Sequence, residues 1–262
     1  MKPLAAAAFA LAALLTPEAA QAGAWTLPAG TGQVIVTGIH SESPTGYDDS
    51  GAVNAIPRYT KDEAYVLVEY GVTDDVTLSV TPSYSHVDVP GGHVTSGLGT
   101  TQFMARYRLA ANDSGVISVQ AGLSVPGKRR VDTLAQINTD GTEVDIRALG
   151  GSNFKLGTLS AFADLEAGYR FRSGAPANEF HLDATLGLRP ARRLTLMLQL
   201  FNTISDGHGR PGFPANRYTN LDASLVWDLS KRVGLQIGAL RTLSGRNALR
   251  ERGVFSALWF KF

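Results

Sequence analysis

Beyond residue 31 the chain alternates apolar and polar positions in about twelve segments of eight or more residues, the period-2 pattern of β-strands. They fall near residues 32–42, 60–71, 75–87, 98–110, 115–124, 142–152, 158–172, 178–188, 192–204, 217–229, 232–243 and 252–262. Over 159–171 one face carries Leu159, Ala161, Ala163, Leu165, Ala167, Tyr169 and Phe171, and the other Ser160, Asp164, Glu166 and Arg170. Phe180, Leu182, Ala184, Leu186 and Leu188 oppose His181, Asp183 and Thr185 in the same way, as Leu221, Ala223, Leu225, Trp227 and Leu229 oppose Asp222, Ser224 and Asp228.

A soluble antiparallel sheet alternates too, so the connections decide between solvents. Short links near 72–74, 111–114, 153–157, 189–191 and 230–231 take turns with longer ones near 43–59, 88–97, 125–141, 173–177, 205–216 and 244–251. Short periplasmic turns and longer outer loops are the rhythm of an outer-membrane barrel. The expected fold is all-β: a single up-and-down antiparallel transmembrane β-barrel of about twelve strands, closed because hydrocarbon offers no partner to an unpaired strand edge. The aromatic positions agree with two interfacial girdles: Tyr70, Tyr107 and Trp227 lie beside short turns, and Tyr84, Tyr169, Phe171 and Phe180 beside longer loops. Val254, Ser256, Leu258, Phe260 and Phe262 share one face of the last strand, and this ending resembles the signal read by the barrel-assembly machinery.

Residues 1–22 read as a cleaved secretory signal peptide: Met1-Lys2, an apolar run from Leu4 to Leu15, then Ala20-Gln21-Ala22, with cleavage expected after Ala22. The apolar run is too short for a helical span, and no later stretch approaches 18 consecutive apolar residues. Residues 23–31 are expected to form a short N-terminal periplasmic segment and 32–262 the barrel, in the outer membrane of a Gram-negative bacterium. Trp25 has two readings, tucked inside the barrel or seated at the membrane interface.

Composition sharpens this picture. The 24 basic and 23 acidic residues leave a net charge of +1, which makes no electrostatic case for nucleic acid. Charged residues make up 18% of the chain, below the roughly 25% of soluble proteins. Cysteine is absent, so disulfides, thiolate metal sites and a Cys nucleophile are excluded. The charges fall on the face that must line the lumen, since a charge at the bilayer midplane costs about 2–4 kcal/mol. Lumen candidates are Arg106, Arg108, Arg147, Asp164, Glu166, Arg170, Arg172, Asp183, Asp222 and Asp228, with Lys61, Glu63, Glu69, Glu143 and Asp145 on the same face. Turn-based register estimates put Arg147 beside Asp164 or Glu166, and Arg170 near His181.

Two readings follow: bracing salt bridges in a semi-filled barrel, or a transverse field between the fourth and tenth strands in which Arg106 and Asp222 help define a constriction. Twelve strands give a backbone radius of about 12 Å, wide enough for water unless loops or the N-terminal segment fill it. Tyr65, Leu67, Met104, Phe162, Met197, Phe201, Phe255 and Trp259 add apolar lumen surface.

The sequence offers no catalytic set. None of His40, His86, His93, His181 and His208 stands in an H-x-S arrangement, and no G-x-S-x-G, H-E-x-x-H or phosphate-cradling glycine loop occurs. His181 with Asp183 and Ser160 is the best residual group. No cofactor and no metal site is expected.

The signal peptide, the opening Gly23-Ala24-Trp25-Thr26-Leu27-Pro28, the single barrel and the aromatic end together resemble the proteobacterial meta-pathway phenol-degradation family of outer-membrane barrels, akin to hydrophobic-solute channels. The resemblance implies a solute channel. The run 23–31 is shorter than the N-terminal plug of the long-chain fatty-acid transporters, so a gated plug is not expected. The chain therefore reads as a porin-like channel, not an enzyme, for passive passage of small polar or amphipathic solutes. Its partners are outer-membrane lipid, the assembly machinery and a small-molecule solute. The alternatives are a lipid-directed outer-membrane hydrolase, or a structural or adhesive barrel with a closed lumen.

Overall fold

The computed structural model describes residues 23–91, 93–127, 135–138 and 141–262; the expected signal peptide, 1–22, lies outside them. Twelve antiparallel strands close into one barrel. They are β1 (Gly32–Tyr47), β2 (Val53–Thr73), β3 (Val76–Thr81, resuming as Ser83–Val89), β4 (His93–Leu98, resuming as Thr101–Ala111), β5 (Gly115–Val125) and β6 (Glu143–Leu156). The ring continues with β7 (Leu159–Arg172), β8 (Glu179–Ala191), β9 (Leu194–Ser205), β10 (Arg217–Asp228), β11 (Val233–Arg246) and β12 (Arg252–Lys261). Each strand pairs with its neighbours in sequence, and β1 closes the ring by pairing with β12 as well as β2: Ile35 lies opposite Trp259 on one side and Leu67 on the other. Pro82 interrupts β3 because it has no N–H for the ladder, yet its carbonyl still accepts from Val66 N at 3.2 Å.

Burial is inverted relative to a soluble protein. Val36, Leu78, Phe103, Ile117, Ile146, Leu165, Leu186, Leu198 and Ile237 are exposed on the outer wall, while Glu69, Glu143, Asp145, Asp164, Glu179 and Asp183 are buried inside. Water tolerates exposed apolar patches of only a few hundred Å², so a belt that circles the molecule is a lipid-facing surface. Tyr70, Tyr107 and Trp227 are exposed near the short turns; Tyr84, Phe171 and Phe180 are exposed toward the other end. Tyr169 stacks edge-on between Phe171 and Phe180 at 4.8 and 4.7 Å and donates from its hydroxyl to Asp206. Phe260 and Phe262 are also exposed, and the backbone of Phe262 exchanges two hydrogen bonds with Gly32 at 2.9 Å each.

Two expectations need correction. The long connections near 43–59 and 88–97 are largely strand: β1 and β2 continue to a turn at 48–52, β3 continues to a turn at 90–91, and β4 begins at His93. Beyond the membrane both faces of a strand meet water, so the alternation that marks lipid-facing strand fades while the ladder persists. The segment 23–31 does not stay below the barrel. It runs up into the lumen, where Ala24 is fully buried.

Candidate functional site

The lumen is organised from its wall inward. On β6–β8 the residues at alternate positions form an acid–base ladder. Arg147 on β6 holds Asp145 (Nε–Oδ1 2.7 Å), Glu166 of β7 (Nη1–Oε2 3.1 Å) and Asp183 of β8 (Nη1–Oδ2 2.8 Å). Arg170 lies 3.2 Å from Asp145, and Arg172 spans Glu143 at 2.9 Å and Glu179 at 2.7 Å. His181 Nε2 sits 3.4 Å from Glu179. The cross-strand register explains these partners. Arg147 pairs with Gly168, two residues from the estimate of Glu166 and four from that of Asp164, and Arg170 pairs with Glu179, two residues from His181. Arg147 still reaches Glu166 diagonally because its side chain is long. Glu179 was not singled out from sequence; the parity of His181 and Asp183 already places it on their face.

The second feature is the strap, residues 23–31, which crosses the lumen on the side of the short turns. Ala24 N donates to Asp164 Oδ2 at 2.7 Å, and Ser118 Oγ donates to Ala24 O at 2.6 Å. Arg106 Nη1 donates to Trp25 O at 2.8 Å, and Leu27 N to Thr77 Oγ1 at 2.8 Å. Thr26 Oγ1 donates to Asp74 O. Trp25 is therefore inside, edge-on to Phe162 at 6.4 Å and packed on the cluster of Ala24, Val116 and Leu149. Phe162 packs against Gly187, where any Cβ would overlap its ring. Met197 and Val226 complete this apolar base, with Arg189 over the Phe162 ring at 5.5 Å.

These contacts redistribute the expected constriction. Arg106 is committed to Trp25 O, to Gln120 Oε1 at 3.1 Å and to Glu69 at 3.6 Å. Among the described residues Asp222 forms no ion pair, and neither does Asp228, which ends β10. Arg108 binds Asp75 at 2.7 Å at the rim. Toward the opposite mouth, Lys61 bridges Glu63 at 3.1 Å and Glu251 at 3.6 Å. There Ala135 and Ile137 of the β5–β6 connection pack on Val87, Val89 and Tyr59.

Within the lumen lies a chamber of about 590 Å³. Arg147, Glu166, His181 and Asp183 line one side, and Tyr65, Leu67, Met104 and Phe201 supply apolar surface; Arg106 and Glu69 face it as well.

Outside the barrel, β1–β4 carry a polar row at the level where the outer wall turns from apolar to polar. Register aligns His40, Asp62, His86 and Ser96. His40 Nδ1 is 2.7 Å from Asp62 Oδ1, and His86 Nδ1 is 2.5 Å from Ser96 Oγ. Sequence inspection sought His and Ser in an H-x-S arrangement and weighed Ser160 across from His181; register puts Gly168 opposite His181 and Ser160 opposite Arg189, and the His86–Ser96 pair was missed.

The antiparallel barrel is closed, with an apolar exterior and a charged interior. The fold is that of an outer-membrane β-barrel. The chain is similar to the COG4313 outer membrane channel from Pseudomonas putida F1, with a TM-score of 0.77 at 17% identity over 94% of this chain and 100% of that one. It is also similar to the NanC porin (TM-score 0.57, 10% identity, 87% of this chain and 100% of that one). The KdgM porin aligns at a TM-score of 0.53 and 10% identity over 87% of this chain and 99% of that one. No protein-family model and no curated protein sequence matches the chain. At these identities the likeness is one of fold, and its neighbours are channels and porins.

Proposed function

We propose that this barrel is a passive outer-membrane channel for small amphipathic solutes, of the hydrophobic-solute type that its opening and its aromatic end resemble. The observation that carries the reading is the chamber, where a buried acid–base ladder and an apolar surface of Tyr65, Leu67, Met104 and Phe201 share one space of about 590 Å³. A cavity of this size suits a single small molecule, and its two kinds of wall suit a solute with one polar and one apolar end. Lipid surrounds the belt, and Phe260 and Phe262 serve the assembly machinery. Planar-bilayer recording and liposome swelling with aromatic carboxylates against neutral sugars test the proposal. Faster entry of the aromatic acids is expected. A barrel that neither conducts nor swells liposomes is a closed structural element, and the reading fails. Arg106→Glu reverses a charge facing the chamber and is expected to raise cation over anion permeability; an unchanged ratio removes Arg106 from the conduction path.

A second reading, a lipid-directed hydrolase, has one observation in its favour: Ser96 Oγ lies against a histidine ring nitrogen on the outer wall. A His-paired serine is a nucleophile with its base in place. Phospholipid turnover by purified protein, abolished in Ser96→Ala and in His86→Ala, is the outcome that would favour it over the channel.

A further inference from the structure

The strap begins at a buried carboxylate, Asp164, with which no described side chain forms an ion pair. Asp164 is only 4% exposed and one of its oxygens accepts from Ala24 N. Among the described residues no Lys, Arg or His nitrogen lies within ion-pair distance of it. Its neighbour Glu166 shares Arg147 with Asp145 and Asp183. On β6–β8 the inward face carries six carboxylates and four guanidiniums, with His181 alongside; Arg189 lies over the Phe162 ring and forms no ion pair among the described residues. An acidic excess inside a barrel wall is costly unless a cation completes it.

Gly23 occupies that spot. A Cβ built on it would collide with Asp164 Oδ1 and Glu166 Oε1. Its nitrogen, one bond from the same Cα, therefore lies within about 5 Å of both carboxylates by standard bond lengths. Only glycine brings a backbone this close to the pair. The sequence independently puts a small-x-small cleavage site, Ala20-Gln21-Ala22, directly before Gly23.

We infer that Asp164 and Glu166 form the receptor for the α-ammonium group that signal-peptide removal creates on Gly23. A leader-cleaving peptidase adds one water across the Ala22–Gly23 amide: the Ala22 carbonyl carbon leaves as a carboxylate, and the Gly23 nitrogen becomes an ammonium. In the uncut chain the same nitrogen is an uncharged amide with a single N–H, and the carboxylate pair lacks its cation. Processing therefore supplies the charge that locks the strap across the lumen, and an unprocessed chain cannot close this latch. The inference concerns strap seating and stands whatever solute the channel passes.

The test uses mature protein extracted from outer membranes into detergent. Intact-mass and N-terminal peptide analysis identify the first residue, and an N-hydroxysuccinimide acetate probe then reads the accessibility of its amine. An α-amine starting at Gly23 is expected to acetylate about ten-fold more slowly in the folded barrel than in a variant with Ser-Gly inserted between Ala22 and Gly23, because a paired, buried ammonium is withheld from the reagent. The extension leaves every lumen side chain in place, so it is independent of folding defects. Asp164→Asn combined with Glu166→Gln is expected to release the amine to the same extent. Equal labelling of the wild-type and extended proteins, or a mature chain starting at another residue, overturns the inference. Solute passage measured alongside reports separately on the channel.

Discussion

Arg147→Met takes away a cation that holds carboxylates on three strands. The guanidinium makes close contacts with Asp145, Glu166 and Asp183, and its side chain is 11% exposed. Methionine keeps most of the volume and none of the charge, so packing is nearly conserved while three carboxylates converge with Arg170 alone nearby, 3.2 Å from Asp145. Breaking a buried ion pair by removing one partner costs about 3–5 kcal/mol. The adjoining chamber admits water to part of this cluster, which favours the lower end, about 3 kcal/mol. For a chain of this size each kcal/mol moves the midpoint by roughly 2–4 °C, so a fall of about 10 °C is expected. The assay is the temperature at which the folded, fast-migrating band in semi-native electrophoresis converts to the unfolded one, checked by far-UV circular dichroism in the same detergent. Adding Asp183→Asn to Arg147→Met removes one orphaned charge and is expected to recover part of the loss. The ladder would be ornamental if Arg147→Met moved the midpoint by less than about 2 °C, or if the second substitution recovered nothing.

Leu165→Arg puts a charge at the middle of β7 on the lipid face and is expected to destabilise the barrel by about 2–4 kcal/mol; a neutral effect in lipid-based denaturation would contradict the assignment of the outer wall. Gly187→Val drives a side chain into the Phe162 ring and is expected to cost about 1–3 kcal/mol, with loss of the near-UV signal of Trp25; an unaltered spectrum would place Phe162 elsewhere. In the turn at 48–52 the Asp48 carboxylate is held down to about 2, first by the Ser50 hydroxyl, then by Ala52 N, Asn54 and Ser50 N. Because its folded value lies below the unfolded one of about 3.9, any contribution to hairpin order is complete above pH ~4 and lost as pH falls through ~2. Carbon-13 NMR should find the Asp48 midpoint near 2 and a higher one in Ser50→Ala; an ordinary midpoint in the native protein refutes the turn geometry.

The strand number and the side of the wall on which each residue lies were legible because a strand between lipid and lumen records both environments in a two-residue period. Leu165 and Asp164 differ by one position, and no other placement of the pair is affordable in hydrocarbon. The same code falls silent where its physical cause ends, which is why the outer parts of β1–β4 read as loops. The lumen residues were legible as a set. Their partners were not, because which residue of β6 meets which of β7 depends on register, fixed by turn closure and by pairing around the whole ring. A two-residue displacement keeps every side chain on its face and changes its cross-strand partner: Arg170 meets Glu179, and Arg147 keeps Glu166 on the diagonal while joining Asp145 and Asp183. Glu179 was within reach of parity from His181.

The strap belongs wholly to the tertiary structure. Nothing in residues 23–31 alone distinguishes a periplasmic tail from a lumen filler, since its hydrogen-bond partners Thr77, Arg106, Ser118 and Asp164 come from four different strands. The His86–Ser96 contact is hidden for the same reason. Sequence determined the solvent on each side of the wall, because transfer free energy acts on single residues; the assembled barrel decided who touches whom, because those energies arise only when distant strands have closed into a ring.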